Sequence, residues 1–314
     1  MKRTLLVYAS AFLLLGCSSG IDYTETDFTD NRSGNTVYPA FEAGFEKVET
    51  KTFVDDGLKI HWDADDRLSI FFQYAINTQY RFKGEQGANA GKFEVVDGPS
   101  SATGNELSAN YAVYPYNSTT TISDDGTITL TMPEEVFFGD NSFGLNSNTM
   151  VAVTKSVSDK FLTFKNVGGF LVLKFYGKGT IASIKLSSRA GEKIAGKADV
   201  SIEYGEAPLI SLDQELGTEN IILNCGDGVT VGESPESATA FWFVIPPVTF
   251  TDGFAITLTD INGAQASFNA RNERIVSRNA VTRMSALKID FSGNEPVVFS
   301  ENGIDGLDET DFEW

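Results

Sequence analysis

The sequence has few of the side chains that most often perform catalysis or hold metal ions. Its 314 residues include two cysteines, Cys17 and Cys225, and a single histidine, His61. Two cysteines allow at most one disulfide, and zinc sites built from Cys and His need more ligands than the chain supplies. The Gly-x-Ser-x-Gly elbow of serine hydrolases is absent from the sequence, as is a dinucleotide-binding glycine pattern. We therefore expect no enzymatic activity, no cofactor and no metal site.

Basic residues are scarce as well. The chain has 24 Lys and Arg against 43 Asp and Glu, which gives a formal net charge of -19 at pH 7. A surface this acidic repels the phosphate backbone of nucleic acids. The charge therefore disfavours nucleic-acid partners and favours solubility in a crowded extracellular layer.

Long hydrophobic runs are missing except at the N-terminus. There, Lys2 and Arg3 precede an apolar run from Leu5 to Leu15 that is shorter than the ~20 residues needed to span a bilayer. This pattern is typical of a signal peptide. The run ends in Leu14-Leu15-Gly16-Cys17, which resembles the lipobox of bacterial lipoproteins and implies that Cys17 is lipidated and becomes the first mature residue. The alternative is an ordinary secretory signal with a chance cysteine.

Composition divides the chain into five segments. The signal peptide covers residues 1–16, and a polar, acidic stretch over residues 17–35 predicts a lipidated flexible tether. Two β-rich blocks, residues 36–158 and 159–291, are separated by a polar break, and each is long enough for a seven-stranded sandwich. Residues 292–314 form a C-terminal tail.

Alternation with a period of two residues is what the sequence has in abundance. In Thr127–Met132, which follows the turn pair Asp125-Gly126, the Ile, Leu and Met side chains share one face and the threonines the other. The same alternation runs from Gly253 into the turn pair Asn262-Gly263 and resumes beyond it, so both segments predict hairpins. No window of about fifteen residues after the signal sustains a helical period. We predict an all-β fold of two tandem, Greek-key sandwich domains with at most single helical turns.

Two kinds of motif could carry a binding function. Asp63, Asp65 and Asp66 have carboxylates that suit calcium, but the segment lacks a loop glycine and a distal glutamate, so a solvated turn between strands is the favoured interpretation. The aromatic runs Tyr111–Tyr116 and Phe241–Phe243 could stack on sugars. Aromatic residues in strands more often pack in the core, which is the prediction we adopt.

A series of short motifs runs in order from the lipobox to about Ile289. They are Thr50-Lys51-Thr52-Phe53, Ile60–Phe71, Ala112–Tyr116, Leu162–Phe175, Ile245-Pro246-Pro247, Gly253–Ile256 and Arg278–Met284. Each motif is loose, but together they resemble the fimbrillins and fimbrillin-like (Mfa-like) lipoproteins of Bacteroidales, the subunits of type V pili.

This resemblance implies two transthyretin-like β-sandwich domains in a lipoprotein of the cell outer membrane, exposed at the surface and assembled into a pilus. In that family a protease specific for Arg or Lys removes the first strand, and a donor strand from the next subunit fills the groove. The contact is head-to-tail and therefore builds an open filament. The implied partners are other pilus subunits, the outer membrane through the N-terminal lipid, and a host or bacterial surface ligand.

Three basic residues are candidate cleavage sites: Arg32, Lys47 and Lys51. Cleavage at Lys51 would remove the segment from Val37 to Glu49 as the first strand, whereas cleavage at Arg32 would free only the tether. The sequence leaves this choice open.

The C-terminal tail contains a short strand-like segment, Glu295–Ser300. Its Val297, Val298 and Phe299 form a candidate donor strand. An exposed tail with a short edge strand is the equally weighted alternative.

Two other functions share the lipobox, the acidity and the β-rich pattern. A surface glycan-binding lipoprotein of a polysaccharide-uptake system would show exposed aromatic residues in a shallow groove. A glycosidase would need two facing carboxylates about 5–10 Å apart in a cleft. A pilus subunit would instead have an apolar, strand-shaped groove covered by residues near Phe41 to Phe53.

Overall fold

The computed structural model describes residues 37–46, 60–98 and 104–292, together with the backbone of Val297–Phe299. Most of these residues lie in strands, and a single 3-10 turn, Pro235–Ser237, is the helical element in these ranges. The predicted all-β fold is therefore confirmed. Within the described residues, no helix has the length and hydropathy that a membrane crossing requires.

Several predicted features lie outside the described residues. They are the signal peptide, the tether with Cys17 and Arg32, the candidate cleavage residues Lys47 and Lys51, and the tail after Phe299. These assignments stay predictions.

The described strands are numbered in chain order. The first eight are β1 (Phe41–Phe45), β2 (Arg67–Phe71), β3 (Asn77–Lys83), β4 (Ala90–Asp97), β5 (Tyr111–Tyr114), β6 (Thr121–Ile122), β7 (Ile128–Met132) and β8 (Glu135–Gly139). The next eight are β9 (Ser142–Phe143), β10 (Met150–Val153), β11 (Phe161–Asn166), β12 (Gly169–Lys178), β13 (Thr180–Ser188), β14 (Ala195–Ser201), β15 (Leu209–Thr218) and β16 (Asn220–Thr230). The last seven are β17 (Thr239–Ile245), β18 (Val248–Phe250), β19 (Phe254–Asp260), β20 (Gln265–Ala270), β21 (Arg274–Val276), β22 (Val281–Asp290) and β23 (Val297–Phe299).

Both predicted hairpins are present. Strand β7 pairs antiparallel with β6 across the Asp125-Gly126 turn, and β19 pairs antiparallel with β20 across Asn262-Gly263. Gly126 has φ +84° and Gly263 has φ +83°, the left-handed conformation that tight hairpin turns require. Every second residue of β19 is buried, as the alternation predicts.

Seven strands form a sheet that closes on itself in the order β1-β11-β10-β5-β2-β3-β4, with β1 next to β4. Its interior is a cluster of buried side chains, half of which are aromatic: Phe41, Ala43, Trp62, Leu68, Ile70, Tyr80, Phe82, Phe93, Ala112, Tyr114, Met150, Ala152, Leu162 and Phe164. On the opposite face of this sheet, Phe71, Val113 and Val151 pack in a second cluster with residues of β7 and β14. This is why all four residues of β5 are buried.

Two further sheets face each other across the largest core cluster. One is β17-β12-β22-β23 and the other is β20-β19-β13-β16-β8-β9. Leu171, Leu173 and Phe175 of β12 enter the core between these sheets, while Phe170 and Val172 pack in a smaller cluster on the other face. The near-continuous apolar run of β12 follows from burial on both of its faces.

Strands from both sides of residue 158 pair with each other. Strand β7 pairs antiparallel with β14, and β8 pairs parallel with β16. The division into domains at residues 36–158 and 159–291 stays a prediction, and these pairings cross it.

Candidate strand-exchange groove

Strand β1 lies between two neighbours and completes the closed sheet. It pairs parallel with β11, where Ala43 is opposite Leu162, and antiparallel with β4, where Ala43 is opposite Gly91. The amide N–H of Glu42 donates to the carbonyl of Lys160 at 2.9 Å, which extends the pairing beyond the start of β11. Removing β1 would therefore leave unpaired N–H and C=O groups along two strands at once.

The inward side chains of β1 belong to the interior of the closed sheet. Phe41 and Ala43 are both 0% exposed, whereas Glu42 between them is exposed. The ring of Phe41 packs edge-on against Tyr80, with centroids 5.6 Å apart. Full burial of a Phe side chain contributes about 1.5–3 kcal/mol to stability. Strand β1 thus pairs with the edges of β4 and β11 and fills a hydrophobic pocket inside the closed sheet.

The far end of β1 covers Trp62. The ring centroids of Phe45 and Trp62 lie 4.3 Å apart, and the two ring planes make an angle of 32°. The Trp62 ring also packs against Phe93 of β4 and Phe164 of β11, with centroid distances of 4.9 Å and 5.4 Å. An aromatic centre of this kind holds β1, β4 and β11 together.

Glu46, the residue directly after β1, is held by a bidentate ion pair. Its carboxylate accepts from Arg278 at 2.6 Å and 3.1 Å and from the backbone N–H of Asn166 at 2.6 Å. The side chains of Arg278 and Glu46 are 22% and 16% exposed, so the pair is largely shielded from water. The chain separation of 232 residues explains why sequence reasoning missed this contact.

A chain of buried amide groups continues from this ion pair. The side chain of Asn166 donates to Asn279 Oδ1 at 2.6 Å and accepts from Asn148 Nδ2 at 2.7 Å. The NH₂ group of Asn148 is occupied by this hydrogen bond. Its Oδ1 is also buried and has no hydrogen-bond partner within the part of the chain that the structure describes. The indole N–H of Trp62 is also buried and unpartnered there. A buried polar group without a partner costs about 1–3 kcal/mol.

The acidic segment forms the turn that the sequence predicts, but Asp66 is buried rather than solvated. One Asp66 oxygen accepts from the backbone N–H of Asp63 at 2.7 Å, and the other accepts from the hydroxyl of Tyr114 at 3.0 Å. Burial raises the pKa of the Asp66 carboxyl. Asp65 lies outside this arrangement and pairs with Arg81 at the surface. Across the described ranges, no three His, Cys, Asp or Glu residues are grouped to hold a metal ion.

Phe241–Phe243 and the Tyr111–Tyr114 part of the other aromatic run lie in the core, as predicted, whereas Tyr116 is half-buried. Phe241 and Phe243 are 0% exposed, and Trp242, Tyr111 and Tyr114 are at most 8% exposed. These five buried rings are therefore not platforms for sugars on the surface. Cys225 is buried as well, and burial raises the pKa of its thiol to about 12.

The candidate donor strand is a short edge strand in this structure. The backbone of β23 pairs antiparallel with β22, with Val298 opposite Ile289. All three residues of β23 take part in this pairing, and β23 lies at the edge of the sheet. Whether Val297, Val298 and Phe299 also serve a neighbouring subunit stays a prediction.

Comparison with known proteins gives no matching family model and no matching curated protein. Solved structures do match. A protein assigned to cell adhesion from Bacteroides ovatus ATCC 8483 is 15% identical over 84% of this chain and 96% of that chain, with a TM-score of 0.44. A second such protein, from Bacteroides uniformis ATCC 8492, is 16% identical over 82% of this chain and 94% of that chain, with a TM-score of 0.41. The tip fimbrial protein Mfa3 from Porphyromonas gingivalis, with a C-terminal truncation, is 9% identical over 83% of this chain and 98% of that chain, with a TM-score of 0.25. These neighbours are cell adhesion and fimbrial proteins.

These matches concern the fold alone, because the identities are 15%, 16% and 9%. The function proposed for this chain therefore depends on the geometry of β1 and the groove that it fills.

Proposed function

We propose that this protein is a structural and adhesive subunit of a surface pilus that assembles by exchange of β1 for a strand of a neighbouring copy. The observation that carries the proposal is the position of β1. It is the first described strand, only five residues long, yet it is paired on both edges and supplies buried side chains to the closed sheet.

A groove of this kind accepts only an extended segment with the right alternation. An incoming strand would pair with the freed edges of β4 and β11, and alternate side chains would enter the pockets of Phe41 and Ala43. Because the register and the pockets are defined by residues that stay in place, the replacement strand is selected by shape as well as by hydrogen bonding.

Cleavage between β1 and the rest of the chain would permit the exchange. While the chain is continuous, β1 is present at a high effective concentration and rebinds faster than any second molecule can compete. After cleavage it is held only by noncovalent contacts and competes with other strands by mass action. Lys47 and Lys51 follow β1 in the sequence and suit this step, whereas cleavage at Arg32 would leave β1 attached.

The segment Val297–Phe299 is the donor that we propose. The backbone of β23 pairs on one side over three residues, whereas a strand in the interior of a sheet pairs on both sides. In its sequence, Val297 and Phe299 fall on one face, which matches the spacing of Phe41 and Ala43. The subunit would be exported as a lipoprotein, with Cys17 holding it to the outer membrane.

A reversible lock on β1 tests the mechanism. Glu42 and Lys92 are exposed and lie opposite each other in the antiparallel pair of β1 and β4, at a separation that a disulfide can bridge. The variant E42C/K92C should stay monomeric after treatment with a Lys- and Arg-specific protease under oxidising conditions. Adding reductant should then produce a ladder of polymers on unheated detergent gels.

Matched controls make the result specific. The single variant K92C should polymerise in either redox condition, and buried Cys225 should not interfere because its thiol is inaccessible. Mass spectrometry of the cleaved protein would identify the basic residue that is cut. A locked variant that forms ladders as readily as the reduced one would show that β1 does not leave the groove, and the proposed mechanism would be wrong.

A further inference from the structure

Lys160 directly precedes β11, one of the two strands that pair with β1. Its backbone carbonyl accepts from the N–H of Glu42 at 2.9 Å. Its ammonium nitrogen lies 5.6 Å from the ring centroid of Phe41 and 4.8 Å from that of Phe72. Both distances are within the ~6 Å range of a cation–π interaction. Lys160 therefore contacts the buried ring of β1 from a segment that would stay in place when β1 leaves.

The segment before β11 holds this ammonium group. It donates to the backbone carbonyl of Val157 and, at 3.5 Å, to that of Asp159. Burial lowers the pKa of Lys160, because the ammonium group is partly withdrawn from water. A cation in this state interacts more strongly with an aromatic face than an exposed cation does. Contact with the Phe41 ring therefore offsets part of the hydration that the ammonium group lacks.

Two aromatic neighbours of Phe41 also favour a ring at its position. Phe41 packs edge-on against Tyr80 and Phe72, with centroid distances of 5.6 Å and 6.0 Å and interplanar angles of 82° and 75°. Edge-to-face pairs are more stable than burial of their apolar area alone explains, because the positive edge of one ring meets the negative face of the other. An aliphatic side chain of similar size could fill this space. It would present no negative face to Lys160 and no ring to Tyr80 or Phe72.

We infer that Lys160 makes the groove selective for a replacement strand with an aromatic residue at the position of Phe41. The inference rests on the exchange of β1 proposed above, and it specifies the chemistry that the incoming strand must have. A strand with an aliphatic residue there would leave the partly desolvated ammonium group against a surface that does not interact with its charge. Phe299 is the aromatic residue of the candidate donor segment Val297–Phe299, so we expect Phe299 to take this position.

Synthetic peptides with the sequence Tyr38–Glu46 test the inference on protein cleaved after β1 by a Lys- and Arg-specific protease. One fluorescently labelled peptide keeps Phe41, a second has leucine at this position, and a third has trifluorophenylalanine there. The third peptide keeps nearly the same ring shape and apolar area, but the negative charge on the face of its ring is weaker. Fluorescence polarisation would measure the affinity of each peptide. We expect the Phe41 peptide to bind about three- to tenfold more tightly than the other two.

A control peptide has trifluorophenylalanine in place of Phe45 instead of Phe41. The Phe45 ring packs against the Trp62 ring, and a ring with a less negative face stacks well on an indole. This peptide should therefore bind no more weakly than the peptide without fluorine.

Two protein variants separate the effect of the cation from that of the pocket shape. K160M keeps a long, unbranched side chain without charge, so the Phe41 peptide and its fluorinated form should bind to it with nearly equal affinity. K160R keeps a cation and should retain the preference for the Phe41 peptide. A pocket that selects by shape alone would give the same preference in both variants.

The outcomes distinguish this inference from the proposed exchange. If the peptides bind but K160M retains the full preference, K160R loses it, or fluorination at Phe45 weakens binding as much as at Phe41, the inference is overturned while the exchange of β1 stands. If no peptide binds, the proposed exchange is itself wrong and the inference falls with it. Should K160M fail to fold, the two fluorinated peptides compared on the unmodified protein decide the inference.

Discussion

The carboxylate of Glu46 and the guanidinium of Arg278 form a bidentate ion pair, with N–O distances of 2.6 Å and 3.1 Å. Glu46 follows β1 directly, and Arg278 lies between β21 and β22. Through this contact, the end of the strand that closes the groove is attached to the C-terminal part of the chain. The backbone of Asn166, at the end of β11, contributes to the same arrangement.

The first prediction concerns the strength of this ion pair. E46Q should lower the free energy of unfolding by about 1–3 kcal/mol, since it removes charge-assisted hydrogen bonds that are largely shielded from water. Urea denaturation would measure the change. R81Q is the matched control, because its partner Asp65 has a side chain that is 75% exposed, and pairs of that kind contribute about 0–1 kcal/mol. An equal loss of unfolding free energy in E46Q and R81Q would contradict the prediction.

The second prediction tests the burial of β1 in the core. F41A should destabilise the protein by about 3–5 kcal/mol, because Phe41 is fully buried and its removal leaves a cavity beside Tyr80. E42A changes the next residue, which is exposed, and should alter stability by no more than about 0.5 kcal/mol. Denaturation by urea distinguishes the two. Similar small effects for both would mean that β1 is peripheral, and the exchange mechanism would lose its basis.

The third prediction uses two glycines in the pairing of β1 and β4. A Cβ atom on Gly91 would lie 2.2 Å from Cε2 of the buried Phe82 ring, so G91A should cost about 1–3 kcal/mol. At Gly44 the nearest atom would be 3.7 Å away, which is an ordinary contact. G44A should therefore be neutral or slightly stabilising. Melting temperatures of G91A and G44A would check this difference. A destabilised G44A together with an unaffected G91A would contradict the prediction.

The fourth prediction concerns stability in acid. Partial burial raises the pKa of Glu192, but hydrogen bonds from Ser188 and from the hydroxyl and N–H of Thr251 outweigh it and lower the pKa to about 2. The folded-state pKa lies below the ordinary value of 4.5, so the ionised carboxylate stabilises the fold above about pH 4.5. This contribution is lost as the pH falls from 4.5 towards 2.

Melting temperatures across this range would reveal the effect. The difference between the unmodified protein and E192Q should be largest near neutral pH and should shrink as the pH approaches about 2. E85Q, at an exposed position, should leave the pH profile unchanged. A difference between the unmodified protein and E192Q that stays constant from neutral pH to about pH 2 would show that the Glu192 charge contributes nothing.

Much of the fold was predictable because its signals are local. The alternation in Thr127–Met132 and the Asp125-Gly126 turn lie within a few residues of each other, and they predicted the hairpin of β6 and β7 correctly. The buried position of Phe241–Phe243 followed from the same reasoning, since a continuous apolar run fits a strand that is covered on both faces. The solvated state expected for Asp66 was wrong, because its burial depends on Tyr114, which is distant in the sequence.

The sequence by itself determined the all-β class, the position of the hairpin turns and the acidity of the surface, because each depends on neighbouring residues or on composition alone. Only the tertiary structure decided that β1 lies between β4 and β11, that Glu46 meets Arg278, and that Lys160 lies over the ring of Phe41. Parallel pairing and contacts between remote residues have no fixed spacing along the chain. They exist only once packing of the core has brought those segments together.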